Sequence, residues 1–231
     1  MIPQPYDIRS SGGLQSSTQN RVLRNTYFLL AATMVPTVLG AWVGMSVGFS
    51  LFADSPLISM LLFLGIAFAF FWGIERTKHS VTGVYLLLGF TFFMGLMLSR
   101  LVGFALGMGN GAQLIGVAAG GTGIIFFGMA SLSSVVKKDL SNMSKFLFIG
   151  VLLLIAASIA NIWLQMPALM LTISLLAVVI FSVFLLVDLQ RIVNGGETNY
   201  ISATLSVYLS LYNIFSNLLF ILMSLFGGSK E

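Results

Sequence analysis

The segment FLLVDLQRIVNGGETNY, residues 184–200, contains the end of one long apolar run and the turn that precedes the next. Asp188 lies inside the apolar run, among Leu, Ile, Val and Phe side chains. In lipid a carboxylate at such a position is costly and marks a functional site by default. The segment therefore poses two questions: whether the runs on either side of the turn span a membrane, and what lies beside Asp188.

The composition indicates that most of the chain is surrounded by lipid. Of the 231 residues, 58% are hydrophobic and 8% are charged, and the mean hydropathy is +1.01, whereas a soluble domain has about 25% charged residues. The chain has no cysteine and a single histidine, His79, which excludes thiolate sites and histidine clusters for metals. Neither a cofactor nor nucleic acid is expected as a partner, because the net charge of +4 is better explained by orientation in the membrane.

Seven segments have the length and apolarity of a spanning helix, which needs about 20 residues. We therefore predict an all-α membrane protein, a bundle of seven transmembrane helices that occupies residues 21–231. Residues 1–20 are polar and lack the apolar region of a signal peptide, so we predict a flexible tail there. The predicted spans cover roughly residues 25–51, 57–74, 81–106, 112–136, 146–164, 168–193 and 201–226.

The basic residues predict the orientation of the bundle. With seven spans, nine of the 11 Lys and Arg residues fall on the side that holds the amino terminus: Arg9, Arg21, Arg24, Arg76, Lys78, Lys137, Lys138, Lys145 and Arg191. Because Lys and Arg accumulate in cytoplasmic loops, we predict a cytoplasmic amino terminus and a periplasmic carboxyl terminus.

Glycines recur every four residues in three of the predicted spans. They are Gly40, Gly44 and Gly48 in the first, then Gly103 and Gly107, then Gly116 and Gly120. Small residues at this spacing let helix backbones approach closely, so we interpret them as packing positions.

Three polar features lie at depth in the predicted spans. Asp188 is either partly solvated, with Arg191 as its i,i+3 partner, or a gating, proton-sensing carboxylate. Arg100 either extends to the headgroups or faces a carboxylate inside the bundle. The third feature is a stripe on one face of the last span, which either makes interhelical hydrogen bonds or lines a hydrated ion path. The stripe comprises Ser202, Ser206, Ser210, Asn213 and Asn217.

Several classes of membrane protein do not fit these residues. The last span has no lysine before Lys230 for retinal attachment, and Asp188 has no second deep aspartate for an aspartyl protease. His79 lies between spans, too far from the bundle core to serve a membrane serine protease. We therefore expect no enzymatic activity.

Five stretches of the chain resemble the Bax inhibitor-1 (transmembrane Bax inhibitor motif) family, and most closely its bacterial YccA-type branch. The resemblance covers about residue 22 to the carboxyl terminus and agrees with seven helices. The stretches are VLRNTYFLL (22–30), GFTFFMGLMLSRL (89–101), GGTGIIFFGMASLSS (120–134), ANIWLQMPAL (160–169) and NGGETNYISATLSVYLSLYNIF (194–215).

The resemblance implies a role for the last two spans. Some members are similar to pH-sensitive calcium leak channels controlled by two aspartates. Asp188 matches the first aspartate, whereas Ser210 stands at the second and Asn213 keeps the asparagine of that motif; the third-span motif usually has Gly-Pro where this chain has Ser99-Arg100. Since Ca²⁺ prefers several oxygen ligands including carboxylates, Asp188 is only a weak Ca²⁺ candidate. Counted in residues from the turn, Ser206 lies closer to the depth of Asp188 than Ser210 does.

The resemblance also implies a partner. YccA-type members bind the membrane-anchored, ATP-dependent protease FtsH as substrates and modulators. We accordingly expect a multi-pass protein of the bacterial inner membrane that contacts the lipid bilayer and FtsH. A cation leak gated by Asp188 is the alternative function, and a small-solute transporter is the remaining class.

Overall fold

The computed structural model describes residues 9–49, 56–136, 140 and 142–227. Each of its helices contains a stretch that is long and apolar enough to cross a membrane, so the predicted seven-helix, all-α membrane fold is confirmed. The helices are α1 (Arg9–Ser46), α2 (Pro56–Thr77), α3 (Val81–Leu106), α4 (Gly111–Val135), α5 (Met143–Leu164), α6 (Pro167–Val193) and α7 (Tyr200–Phe226).

Helices α2–α7 agree with the predicted spans within one turn, and α1 differs most. Its apolar span runs Asn20–Ser46, so it ends before residue 51 although Val47 and Phe49 are apolar. Gly48 has φ +62, a left-handed conformation that ends helices and is easiest for glycine. Of the predicted tail, residues 1–8 lie outside the described residues, and residues 9–19 continue α1 ahead of its span.

The seven spans define two ends of the bundle. One end contains the start of the α1 span and the α2–α3, α4–α5 and α6–α7 connections. Following the predicted orientation, we call it the inner end. The outer end carries the other three connections. Helix α7 is central, since it packs against α6, α4, α1, α3 and α2. Helix α5 is peripheral: within the described part of the chain it packs only against α6 and buries none of its residues.

The closest helix pair is α1 with α3, and glycine makes this approach possible. A methyl group on Gly95 would overlap the carbonyl of Thr37, and one on Gly40 would overlap that of Phe92. At Gly44 the methyl group would lie 2.6 Å from the Ser99 hydroxyl. Backbone-to-backbone contact of this kind is how small residues join membrane helices, where the hydrophobic effect provides no attraction.

The packing interpretation of the glycines is therefore correct for Gly40 and Gly44. At Gly48, Gly116 and Gly120 it is wrong for the described residues, because an added methyl group would meet no atom within 4 Å. Spacing identifies a narrow helix face but not whether another helix covers it.

We predict that Gly95→Ala destabilises the bundle by about 1–3 kcal/mol, the usual cost of forcing an extra carbon into a packed site. Gly116→Ala is the matched control and should stay within about 0.5 kcal/mol of the parent. Thermal unfolding of the two variants in detergent measures the difference. Equal stability of Gly95→Ala and the parent would contradict the close α1–α3 contact.

Candidate functional site

The turn between α6 and α7 sets the level of every polar group near it. The amides of Gly196 and Glu197 donate to the carbonyl of Arg191 at 2.8 and 3.2 Å, and Gly195 has φ 74. This glycine closure ends α6. Asn199 then begins α7, because its Oδ1 accepts from the amides of Ile201 and Ser202 at 2.9 and 3.1 Å. The NGGETN sequence thus determines where α6 ends and where α7 begins.

The helix ends give the depth of the candidate gating residues. At 1.5 Å per residue, Asp188 lies about 8 Å inside the end of α6 at Val193. Ser206 lies about 9 Å and Ser210 about 15 Å inside the start of α7 at Tyr200. By this count Asp188 is level with Ser206, and Ser210 lies one to two turns deeper.

Asp188 is half-buried between the buried side chains of Val187 and Leu189. The charges that act on it are Arg191, on the next turn of α6, and Glu197 in the turn. Among the residues that the structure describes, none forms a salt bridge or hydrogen bond with the carboxylate. The guanidinium of Arg191 instead donates to the Ser144 hydroxyl of α5 at 3.4 Å. Arg191 is therefore a neighbouring charge and not a bonded partner.

The polar stripe of α7 makes its hydrogen bonds within its own helix. Ser206 Oγ donates to the carbonyl of Ser202 at 3.0 Å, and Asn213 Nδ2 donates to that of Leu209 at 2.8 Å. Asn217 Nδ2 likewise donates to the carbonyl of Asn213 at 2.8 Å. Ser210 is buried, and the buried Ser202 hydroxyl has no partner among the described residues. Within the described part of the chain the stripe forms no hydrogen bond to another helix, so its oxygen atoms are left for other partners.

Two tyrosines of α7, which the sequence reasoning missed, form hydrogen bonds to neighbouring helices. Tyr208 Oη lies 2.9 Å from Thr37 Oγ1. Each hydroxyl also has a carbonyl acceptor, that of Thr33 at 2.8 Å from Thr37 Oγ1 and that of Thr91 at 3.5 Å from Tyr208 Oη, so either hydroxyl can donate to the other. Tyr212 Oη donates to the carbonyl of Met94 on α3 at 3.2 Å. Tyrosine was counted as apolar in the sequence, but the buried threonines of α1 carried a signal: Thr26, Thr33 and Thr37 share one helix face.

Two amide side chains tie the neighbouring connections to this site. Gln190 Nε2 donates to the carbonyl of Val136 at 2.8 Å, and its Oε1 accepts from the amide of Leu140 at 3.1 Å. Gln190 thereby joins the two sides of the α4–α5 connection to α6. Asn199 Nδ2 donates to the carbonyl of Lys78 at 2.7 Å, which joins the α2–α3 connection to the start of α7. Lys137 and Lys138 lie outside the described residues.

The remaining predicted residue, Arg100, lies near the outer end of α3 and is not brought to Asp188. Its side chain is exposed, and no carboxylate in the described part of the chain pairs with it. Within the same residues no group of three or more His, Asp or Glu side chains is placed to hold a metal ion. Any cation at the site would therefore meet one carboxylate, serine hydroxyls and asparagine amide oxygens.

Comparison with known proteins gives a family match along most of the chain. The family described as "Inhibitor of apoptosis-promoting Bax1" matches residues 19–227. An uncharacterized protein of Neisseria meningitidis is 38% identical over 214 residues, which cover 91% of this chain and 93% of that protein. An uncharacterized membrane protein of Vibrio cholerae is 37% identical over 218 residues, 94% and 96% of the two chains. "Modulator of FtsH protease YccA" of Escherichia coli is 37% identical over 205 residues, 88% and 90% of the two chains.

We predict that Asn199 stabilises the inner end through two separable contacts. Asn199→Ala should lower the free energy of unfolding by about 1 kcal/mol or more, because it removes the helix cap and the bond to Lys78. Asn199→Ser keeps a capping oxygen but does not reach Lys78, so it should lose only about 0.5–1.5 kcal/mol. Asn194→Ala, at the exposed end of α6, is the control. If Asn199→Ala unfolds in detergent at the same temperature as this control, neither contact stabilises the bundle.

Proposed function

The chain belongs to the Bax inhibitor-1 family and is a multi-pass protein of the bacterial inner membrane, and we propose that it binds the FtsH protease and modulates it. The observation that carries this proposal is the 37% identity to the E. coli protein named as a modulator of FtsH, over nearly the full length of both chains. The family match includes all seven spans, and the alignment covers 90% of the E. coli protein, which supports a common membrane domain as the part that FtsH would meet.

A segment ahead of the first span supports a substrate role as well. Residues 1–19 precede the span that begins at Asn20 and are rich in Ser, Gln and Gly. In the predicted orientation they enter the cytoplasm, and polar chain termini are the usual places where proteases begin. We propose that FtsH engages the chain there and binds its membrane domain separately.

We predict that deletion of residues 1–19 lengthens the half-life of the chain several-fold in cells with active FtsH. The deleted protein should still co-purify with FtsH, since the membrane domain is intact, and its accumulation should slow the degradation of a second FtsH substrate. A chain in which a Gly/Ser segment of equal length replaces residues 1–19 controls for the distance that the segment spans between the membrane and FtsH. An unchanged half-life on deletion contradicts the substrate role, and the absence of FtsH from the purified protein contradicts the proposed partner.

A cation leak is the second candidate function, favoured by the state of Asp188. A half-buried carboxylate without a bonded partner among the described residues is free to take up a proton or a cation. Ser206 is level with it, and the amide oxygens of Asn213 and Asn217, which accept no hydrogen bond from the residues that the structure describes, continue the same face deeper into the bundle. One carboxylate offers one negative charge where a pair would offer two, so we propose a weak, pH-sensitive leak rather than a tight calcium site.

We predict that Asp188→Asn abolishes the calcium leak, and its pH dependence, in vesicles loaded with a calcium dye. Adding a second carboxylate should raise the leak several-fold, because two carboxylates hold calcium more strongly. Ser206→Asp should raise it more than Ser210→Asp, since Ser206 is level with Asp188. Ser224→Asp, near the exposed outer end of α7, controls for added charge. Unchanged flux in Asp188→Asn would remove this candidate function.

A further inference from the structure

Helices α1 and α4 leave a groove between them. Both pack against α7, and their backbones do not approach each other closely. Tyr27 of α1 meets Phe126 of α4 edge to face in the inner half of the gap, with ring centroids 5.9 Å apart. Two cavities lie in this gap, one of about 540 Å³ and one of about 450 Å³, and both are lined by Met34. We call this gap the α1/α4 groove. Its floor is formed by Tyr208 and Tyr212 of the central helix.

The groove opens to the bilayer. Val38 and Trp42 on its α1 wall are 68% and 64% exposed, and Phe127 on its α4 wall is 70% exposed. Val38 and Phe127 lie eight residues inside the nearer ends of their spans and Trp42 lies four residues inside, so lipid and not water lies outside the groove. No other described helix covers the gap, because α1 and α4 share only α3, α6 and α7 as neighbours.

The polar atoms in the walls are already bonded within the protein. The Tyr208 hydroxyl bonds to Thr37, and the Tyr212 hydroxyl donates to the carbonyl of Met94. Thr122 donates to the carbonyl of Ala118 at 2.8 Å. A lipid headgroup or an ion would therefore gain little from these hydroxyls, which favours an apolar occupant.

The dimensions correspond to one leaflet. The larger cavity follows α1 from Met34 to Met45, about 17 Å at 1.5 Å per residue, and half of the hydrocarbon core is about 15 Å. Met34, where the two cavities meet, is close to the middle of the α1 span Asn20–Ser46. A groove divided at mid-membrane suits chains that enter from each leaflet better than a single helix crossing both. Methionine at both ends of the larger cavity can adapt to a flexible chain.

We propose that the larger cavity of the α1/α4 groove binds one acyl chain of a phospholipid from the leaflet at the outer end. The chain enters sideways between α1 and α4 and packs on the aromatic rings of Tyr208 and Tyr212. It fills the side of α7 that α1 and α4 leave uncovered, and it is held more firmly than the lipids around the rest of the bundle.

Trp42 is a natural reporter for this chain. In the Trp72→Phe, Trp163→Phe protein Trp42 is the only tryptophan, and a phospholipid with brominated acyl chains added to the detergent-purified protein should quench it saturably near one lipid per chain. The Trp42→Phe, Trp72→Phe protein reports from Trp163, which is exposed on α5, and should need a large excess of lipid. Ala119→Phe or Val38→Phe, which fill the cavity, should weaken quenching of Trp42 about tenfold, and Ala156→Phe on α5 should leave it unchanged.

Two results would overturn the proposal. Equal quenching of Trp42 and Trp163, insensitive to Ala119→Phe and Val38→Phe in proteins that keep their melting temperature, would mean ordinary surrounding lipid only. A dimer in native mass spectrometry that carries no lipid and is lost in both cavity-filling variants would mean that the groove takes a helix of a second copy.

Discussion

The structure depends on one constraint: the polar side chains of α7 must be kept away from lipid. This helix carries serines, asparagines and, in its interior, Tyr208 and Tyr212, and hydrocarbon offers them no hydrogen bonds. Five other helices accordingly surround it. Its serines and asparagines bond mainly to carbonyls of their own helix, while its tyrosines reach α1 and α3. The bundle is thus organised around a helix that carries a polar stripe, in contrast to a soluble protein, where the centre is the most apolar part.

Much of this could be predicted from the sequence, because span length and apolarity are local properties. Helices α2–α7 follow the predicted segments closely, and the Gly40 and Gly44 contacts follow from their spacing. The end of α1 could not be found this way, since Val47 and Phe49 continue the apolar composition past the point where Gly48 turns the chain. The partner of the α1 glycines, Gly95, was also missed, because one isolated glycine has no spacing to recognise.

The candidate site was also only partly predictable from the sequence. Asp188 can be identified from the sequence because it is a charged residue within an apolar run. The residues that organise its surroundings, Gln190 and Asn199, are amides near helix ends, where polar residues are ordinary, and only their bonds to Val136, Leu140 and Lys78 distinguish them. These bonds join the α2–α3 and α4–α5 connections to α7 and α6, the two helices that carry the polar stripe and Asp188.

The α1–α3 contact has a mechanical consequence. A processive protease that pulls on the amino terminus meets α1 first, and α1 is joined to α3 by backbone contacts at Gly40 and Gly95 that cannot loosen gradually. Forced unfolding is governed by the rate of such an opening step. The hardest step of extraction would therefore come at the start. Helix α5, which within the described part of the chain packs only against α6, would separate from the bundle with little resistance. Under the proposed role as an FtsH substrate, a chain built in this order would hold the protease at its first step and so keep it from other substrates.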